Sequence, residues 1–135
     1  MILTRKQPFV SRLDVRIADI NYGNHLGHDR LVSLLHQARV EALAAIDASE
    51  LDFFGSALIL ARLEVDYRAQ AFLHDALEIA VWLGELRASR FALHYRVTRG
   101  DVLIAEAQTL MVCFDYQRQR TTAVPESFRE RHAHE

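Results

Sequence analysis

Hydrophobic and polar positions change their period along the chain, and the changes divide it into elements. Between Phe9 and Asp19, Phe9, Leu13, Val15 and Ile17 fall on one side and Arg12, Asp14 and Arg16 on the other, the alternation of a half-buried strand. The stretch "ADINYGNHLGHDR", Ala18 to Arg30, interrupts this pattern with turn-forming Asn and Gly. Leu31, Leu34, Leu35, Ala38, Ala42 and Ala45 then recur at helical spacing and predict a helix over about residues 29–48. Val32, Val40 and Leu43 lie off that stripe, so the helix is expected to be covered on more than one side. After Phe54-Gly55 the period returns to two. Leu63, Val65 and Tyr67 alternate with Arg62, Glu64, Asp66 and Arg68; Leu77 to Leu83 forms another apolar segment; Phe91, Leu93, Tyr95 and Val97 alternate with Arg90, His94, Arg96 and Thr98. A turn at Gly100-Asp101 precedes a last long strand, Val102 to Asp115, and the closing "RERHAHE" reads as a solvated, flexible tail.

One strand, one long helix and then four or so strands predict an α+β domain in which the helix packs across a single curved antiparallel sheet. With 135 residues, half of them hydrophobic, the chain has material for one core, and no repeat or linker suggests a second domain; residues 1–135 are read as one unit with its core at about 8–128. A lone helix leaves sheet edges uncovered, which predicts a homo-oligomer, either a homodimer or a homotetramer. A net charge of −2 without a basic block makes nucleic acid an unexpected partner. No apolar stretch approaches the roughly 20 residues of a membrane span and none resembles a signal peptide, so neither membrane insertion nor secretion is expected. Cys113 is the single cysteine, which rules out an intrachain disulfide and suits a reducing, cytoplasmic setting.

The order of elements, taken with particular residues, carries a resemblance. Asp19-Ile20-Asn21-Tyr22-Gly23-Asn24-His25-Leu26-Gly27-His28 precedes a helix with Arg39 in "HQARVEAL"; "LEVDYRAQAFLHDALEI" holds Asp75; "AEAQTLMVCFDYQRQRTTAVPE" holds Asp115, Pro125 and Glu126. Over residues 8 to 128 this resembles the hotdog-fold acyl-CoA thioesterases of the hydroxybenzoyl-CoA thioesterase class, whose corresponding segment runs D-x-D-x-x-G-H-x-N-N. The resemblance implies a hotdog fold, a long central helix wrapped by a curved antiparallel β-sheet. It implies hydrolysis of an acyl-CoA or acyl-carrier-protein thioester without metal or cofactor, with an oxyanion site at the N-terminus of the central helix. The family places a carboxylate at the second acidic position, as nucleophile or general base. Here that position is Asn21, and an amide neither takes a proton near neutral pH nor forms an acyl anhydride. Asn24 stands for the family's Gly and Gly27-His28 for its Asn pair, while His25 is kept. Three readings stay open: Asn21 orients a water that His25 deprotonates; Asp19, Asp29 or Glu64 of the partner subunit is the base; or the protein is a non-catalytic binder of acyl thioesters.

The candidate catalytic residues are therefore Asn21, His25 and, in reserve, Asp19. Tyr22, Gly23, Asn24, Gly27 and Asp29 are the candidate substrate-binding residues. Gly23 and Gly27 would let backbone approach a ligand, and N–H groups from Asn24 to Gly27 would form the oxyanion site. Each residue also has a plainer reading. Asn21 and Asn24 suit turns and caps, His25 would bond a backbone carbonyl, and Asp29 would favour the positive end of the helix. His25 and His28 have H-x-x-H spacing without a third ligand, and Cys113, between Val112 and Phe114, reads as a buried small hydrophobe. Gln37 and Glu41 lie on the less apolar helix face. Arg62, Arg68, Arg87, Arg90, Arg96 and Arg99 read as a solvated set.

Overall fold

Four of the segments read as strands become long antiparallel strands wrapped over one helix. The computed structural model describes residues 3–133. Its elements are β1 (Phe9–Asp14), a 3-10 turn (Ile17–Asp19), α1 (His28–Ala45), β2 (Ala57–Tyr67), β3 (Ala76–Leu86), β4 (Arg90–Arg99), β5 (Val102–Asp115), β6 (Arg120–Thr121) and α2 (Glu126–Ala133). The sheet order is β1-β3-β4-β5-β2, with β6 attached to β5. This is the predicted α+β arrangement, and the long pairings fix which side chains face inward. Phe91, Leu93, Tyr95 and Val97 of β4 lie opposite Met111, Thr109, Ala107 and Ala105 of β5, and all eight are buried. Their outward neighbours include Glu64, Asp66, Arg96, Glu106 and Gln108, exposed on the helix-free face. The predicted helical stripe is the core face of α1: Leu31, Leu34, Leu35, Ala38 and Ala42 are buried, and Leu43 joins them. Each buried leucine contributes about 1.5–3 kcal/mol by leaving water.

A polar chain crosses this core. Arg39, 6% exposed, donates to Glu50 Oε1 at 3.3 Å and to the Tyr95 hydroxyl at 3.3 Å, and Tyr95 is bonded to Thr109 Oγ1 at 2.8 Å. A buried guanidinium is tolerable only when its charge and donors are answered in this way.

Four expectations are corrected. Val40 is 46% exposed, so the apolar residues off the stripe do not all find cover. β1 ends at Asp14 instead of continuing to Asp19, because Val15 bonds to the Asp75 carbonyl and the chain turns through Ile17–Asp19; Ile17 is 74% exposed and Asp19 is 2% exposed, the reverse of the alternation. α1 stops before residue 48. Asp47 adopts φ +61°, with Ala48 N–H bonded to the Leu43 carbonyl at 2.8 Å and Asp47 N–H to that of Ala44 at 3.0 Å, the pair of bonds that closes a helix through a left-handed residue.

The tail is the largest correction. Residues Glu126–Ala133 form α2, whose Phe128 is 6% exposed and packs with Phe53, Phe54 and Phe91 at ring-centroid distances of 4.8, 5.8 and 5.4 Å. Arg131 caps the far end of α1 by donating to the Ile46 carbonyl at 3.2 Å, with its guanidinium over the Phe54 ring. The predicted tail also includes residues 134 and 135, which lie outside the described residues. Among the described residues no helix is long and apolar enough to cross a membrane.

Candidate active site

The Asn-rich stretch folds into a small hydrogen-bonded loop ahead of α1. Ile20 pairs with Leu26 across it, Asn21 N–H bonds to the His25 carbonyl at 2.9 Å, and Asn24 N–H bonds to the Asn21 carbonyl at 3.0 Å. Asn24 turns the chain at φ +65°, a conformation that Asn tolerates better than most residues. Asn21 Oδ1 accepts the N–H of Gly23 at 2.9 Å and that of His25 at 3.4 Å. Since only the amide oxygen can accept, these bonds orient the side chain and leave Nδ2 as a donor with no acceptor among the described residues. A Cβ on Gly23 would lie 3.2 Å from His25 Nε2 and 3.3 Å from Asn21 Oδ1, so glycine lets the imidazole rest on the loop backbone.

The His25 tautomer follows from its partner. Nδ1 lies 3.2 Å from the Leu26 carbonyl, which can only accept, so in the neutral ring Nδ1 carries the proton and Nε2 keeps its lone pair.

The amides predicted to form the oxyanion site are already engaged. Gly23 and His25 donate to the Asn21 side chain, Asn24 to its carbonyl, Leu26 to the Ala71 carbonyl at 2.8 Å and Gly27 to that of Asp19 at 3.0 Å. Residues 24–27 therefore have no N–H to offer. The first bond within α1 runs from Leu31 N–H to the Gly27 carbonyl at 2.9 Å, and Gly27 caps the helix without a side chain. The N–H groups of His28, Asp29 and Arg30 precede that bond and stand at the positive end of the helix.

Next to them is a cleft of about 190 Å³ lined by His25, Leu26, Gly27, His28, Tyr67 and Ala71, among others. The His28 ring lies 4.2 Å from that of Tyr67, and the Tyr67 hydroxyl donates to the His28 carbonyl at 3.1 Å. Burial first, and the charge of Asp29 second, push the Tyr67 phenol above its ordinary pKa, so it remains a donor at neutral pH. Asp29 Oδ1 would stand 2.7 Å from a Cβ at position 27, so a larger residue there would move the Asp29 carboxylate.

The structure thus brings Asn21, Gly23 and His25 into one cluster and places His25 and Gly27 in the cleft wall, with Asp29 beside it. Tyr22, 104% exposed, projects from the loop tip, and Asn24 is also exposed. Asp19 lies elsewhere. Its carboxylate accepts the Arg16 backbone N–H at 2.9 Å and meets the Arg16 guanidinium at 3.5 Å, within a separate groove shared with Arg30, Ser33 and Gln37. Glu64 pairs with Arg62 on the helix-free face. Asp75 and Asp115 hold turns, through Phe72 N–H and Arg99 for the first and Gln117 and Arg118 N–H for the second. Gln37 and Ser11 both donate to Glu41. Cys113 is buried, and burial pushes its thiol pKa up, which suits a hydrophobe better than a nucleophile. Tyr67 is the cleft residue that the sequence reading passed over; its only signal is an aromatic ending an alternating strand just before a bend.

Comparison with known proteins agrees with this geometry. Residues 15–132 match the model of the thioesterase-like superfamily. The chain is 28% identical to a 1,4-dihydroxy-2-naphthoyl-CoA hydrolase of Synechococcus elongatus, over 86% of this chain and 88% of that protein. It is 28% identical to the acyl-CoA thioester hydrolase YbgC of Escherichia coli, over 81% and 84%. Among solved structures, a 1,4-dihydroxy-2-naphthoyl-CoA thioesterase from Synechocystis superposes with a TM-score of 0.83 at 21% identity, covering 94% of this chain and 96% of that one. A Staphylococcus aureus protein in complex with CoA superposes with a TM-score of 0.84 at 19% identity, covering 99% and 85%. These likenesses establish the hotdog fold of the thioesterases.

Proposed function

The chain belongs to the thioesterase-like superfamily, and on that premise we propose that it hydrolyses acyl-CoA, or acyl-carrier-protein, thioesters by direct attack of water. The relatives named as acyl-CoA hydrolases support the reaction class. The observation that carries the reading is the arrangement of His25: it lines the cleft, Nδ1 is engaged by a backbone carbonyl, and Nε2 has no hydrogen-bond partner among the described residues.

In the reaction, His25 Nε2 takes a proton from water as its oxygen bonds to the thioester carbonyl carbon. Asn21 Nδ2 orients that water or the carbonyl. The carbonyl oxygen becomes an oxyanion, answered by the N–H groups of His28, Asp29 and Arg30. Collapse breaks the C–S bond, the thiolate leaves, and His25 returns the proton to it, giving free acid and thiol. A positioned general base is worth about 10²–10⁴-fold, and one oxyanion donor about 10²–10³-fold. Asn21 supplies no negative charge, so the mechanism has no acyl-enzyme.

We also assign a homo-oligomer to the working form. The outer edge of β2, Ala57–Tyr67, has β5 on one side only, and past Leu58, whose N–H bonds to the Glu50 carbonyl, that open edge favours two-fold pairing with a second copy. Light scattering coupled to size-exclusion chromatography reads this directly, and a stable monomer removes it. A cytoplasmic setting is consistent with a single, buried cysteine.

The test is release of free CoA from short, long and aromatic acyl-CoAs by the wild type, Asn21→Ala and Asn21→Asp. Turnover by the wild type with at least a tenfold loss in Asn21→Ala is the expected result. An inert wild type with an active Asn21→Asp variant would overturn it in favour of a protein that binds acyl thioesters uncleaved.

A further inference from the structure

α1 begins without the side chain that usually aims its first turn. Gly27 occupies the capping position and makes no side-chain bond, so nothing within the helix start fixes the direction of the open N–H groups. The start is instead fastened from outside at two points. Leu26 N–H bonds to the Ala71 carbonyl, and two residues on, His28 is held by Tyr67 through both a tilted ring contact at 4.2 Å and a hydroxyl bond to its carbonyl at 3.1 Å. Tyr67 is itself firmly placed. It is the last residue of β2, paired with Ala105, and the next two N–H groups, those of Arg68 and Ala69, both bond to the Ile104 carbonyl at 2.8 and 3.1 Å.

We propose that Tyr67 is a positioning residue for thioester hydrolysis, aiming the Asp29 N–H at the developing oxyanion through its hydrogen bond to the His28 carbonyl. The link is covalent geometry. The carbonyl of His28 and the N–H of Asp29 belong to one planar trans peptide unit and point in opposite directions, so a bond that fixes the oxygen fixes the hydrogen. The carbonyl has a second lone pair beside the one used in the helix, and accepting there also polarises the peptide toward a better N–H donor. The ring contact supplies the rigidity, and the hydroxyl supplies the direction. Tyr67 is 42% exposed, so removal of its hydroxyl takes little from the core.

This inference rests on the hydrolase reading, and the experiment separates the two. Tyr67→Phe keeps the ring over His28 and deletes only the hydroxyl. The expected result is a kcat lowered by about tenfold, less than the loss on deleting an oxyanion donor outright, with KM within about twofold and an unchanged melting temperature. In the free protein the Asp29 amide resonance should shift in the 15N–1H spectrum of Tyr67→Phe, while amides at the far end of α1 stay in place. An active wild type with an unchanged kcat in Tyr67→Phe overturns this proposal alone, as does a kcat loss matched by a fall in melting temperature. A wild type that cleaves no acyl-CoA overturns the hydrolase reading and the role of Tyr67 with it.

Discussion

The two ends of α1 are finished in opposite ways. At the C-terminal end every device closes the helix: Asp47 turns the chain back, two N–H groups satisfy the last carbonyls, Arg131 caps Ile46, and Phe53 and Phe91, 0% and 1% exposed, seal the end beneath α2. At the N-terminal end the cap is a bare glycine, three amides are left without helical partners, and His28, Asp29 and Arg30, which carry them, are exposed. One helix is anchored by burial at one end and left open at the other. Under the proposed mechanism stability and chemistry fall to different ends of one element, so each should respond to its own substitutions.

The sharpest way to break this division is at the sealed end. Phe53→Ala empties the centre of the aromatic cluster and is expected to cost about 3–5 kcal/mol of unfolding free energy. Chemical denaturation measures that loss, and turnover per folded molecule should stay near wild type; a parallel collapse of turnover would mean the ends are not independent. At the open end the expectation is inverted. Asn21→Ala should lower turnover at least tenfold, yet change stability by only about 1 kcal/mol, because it deletes an exposed turn bond. Unchanged turnover would remove Asn21 from the reaction. The smallest effect is expected at Asp47. Glycine at its left-handed φ relieves strain but loosens the unfolded chain, so Asp47→Gly should raise stability by about 0.5 kcal/mol and leave kcat alone. A lower melting temperature would show that the Asp47 side chain itself holds the closure.

Much of the scaffold was legible as periodicity. The stripe from Leu31 to Ala42 and the alternation from Phe91 to Val97 became the helix face and strand face that meet in the core, because burial on one side is what makes such patterns. The failures lie where tertiary partners overrule local pattern. Asp19 is buried although it reads as polar loop, since the Arg16 backbone and guanidinium answer its charge. "RERHAHE" carries no apolar period, and its helix is held by Phe128 just ahead of it and by Arg131 reaching the end of α1. In the site, His25 and Gly27 were legible from the resemblance, but the loop's hydrogen bonding was not. Only the folded loop shows that residues 23–27 use their own N–H groups and leave those of His28 to Arg30 free. Tyr67 was hidden for a simpler reason: an aromatic at an alternating position is indistinguishable in sequence from any other core-facing strand residue.

The Asn21 turn has an evolutionary consequence. It is built from an oxygen that accepts two backbone N–H groups, and an aspartate presents the same oxygen at the same place. Asparagine and aspartate codons differ only in their first base. A neutral and an anionic version of this loop are thus neighbouring genotypes on one backbone, and a lineage can cross between them in a single mutational step without rebuilding the fold around it.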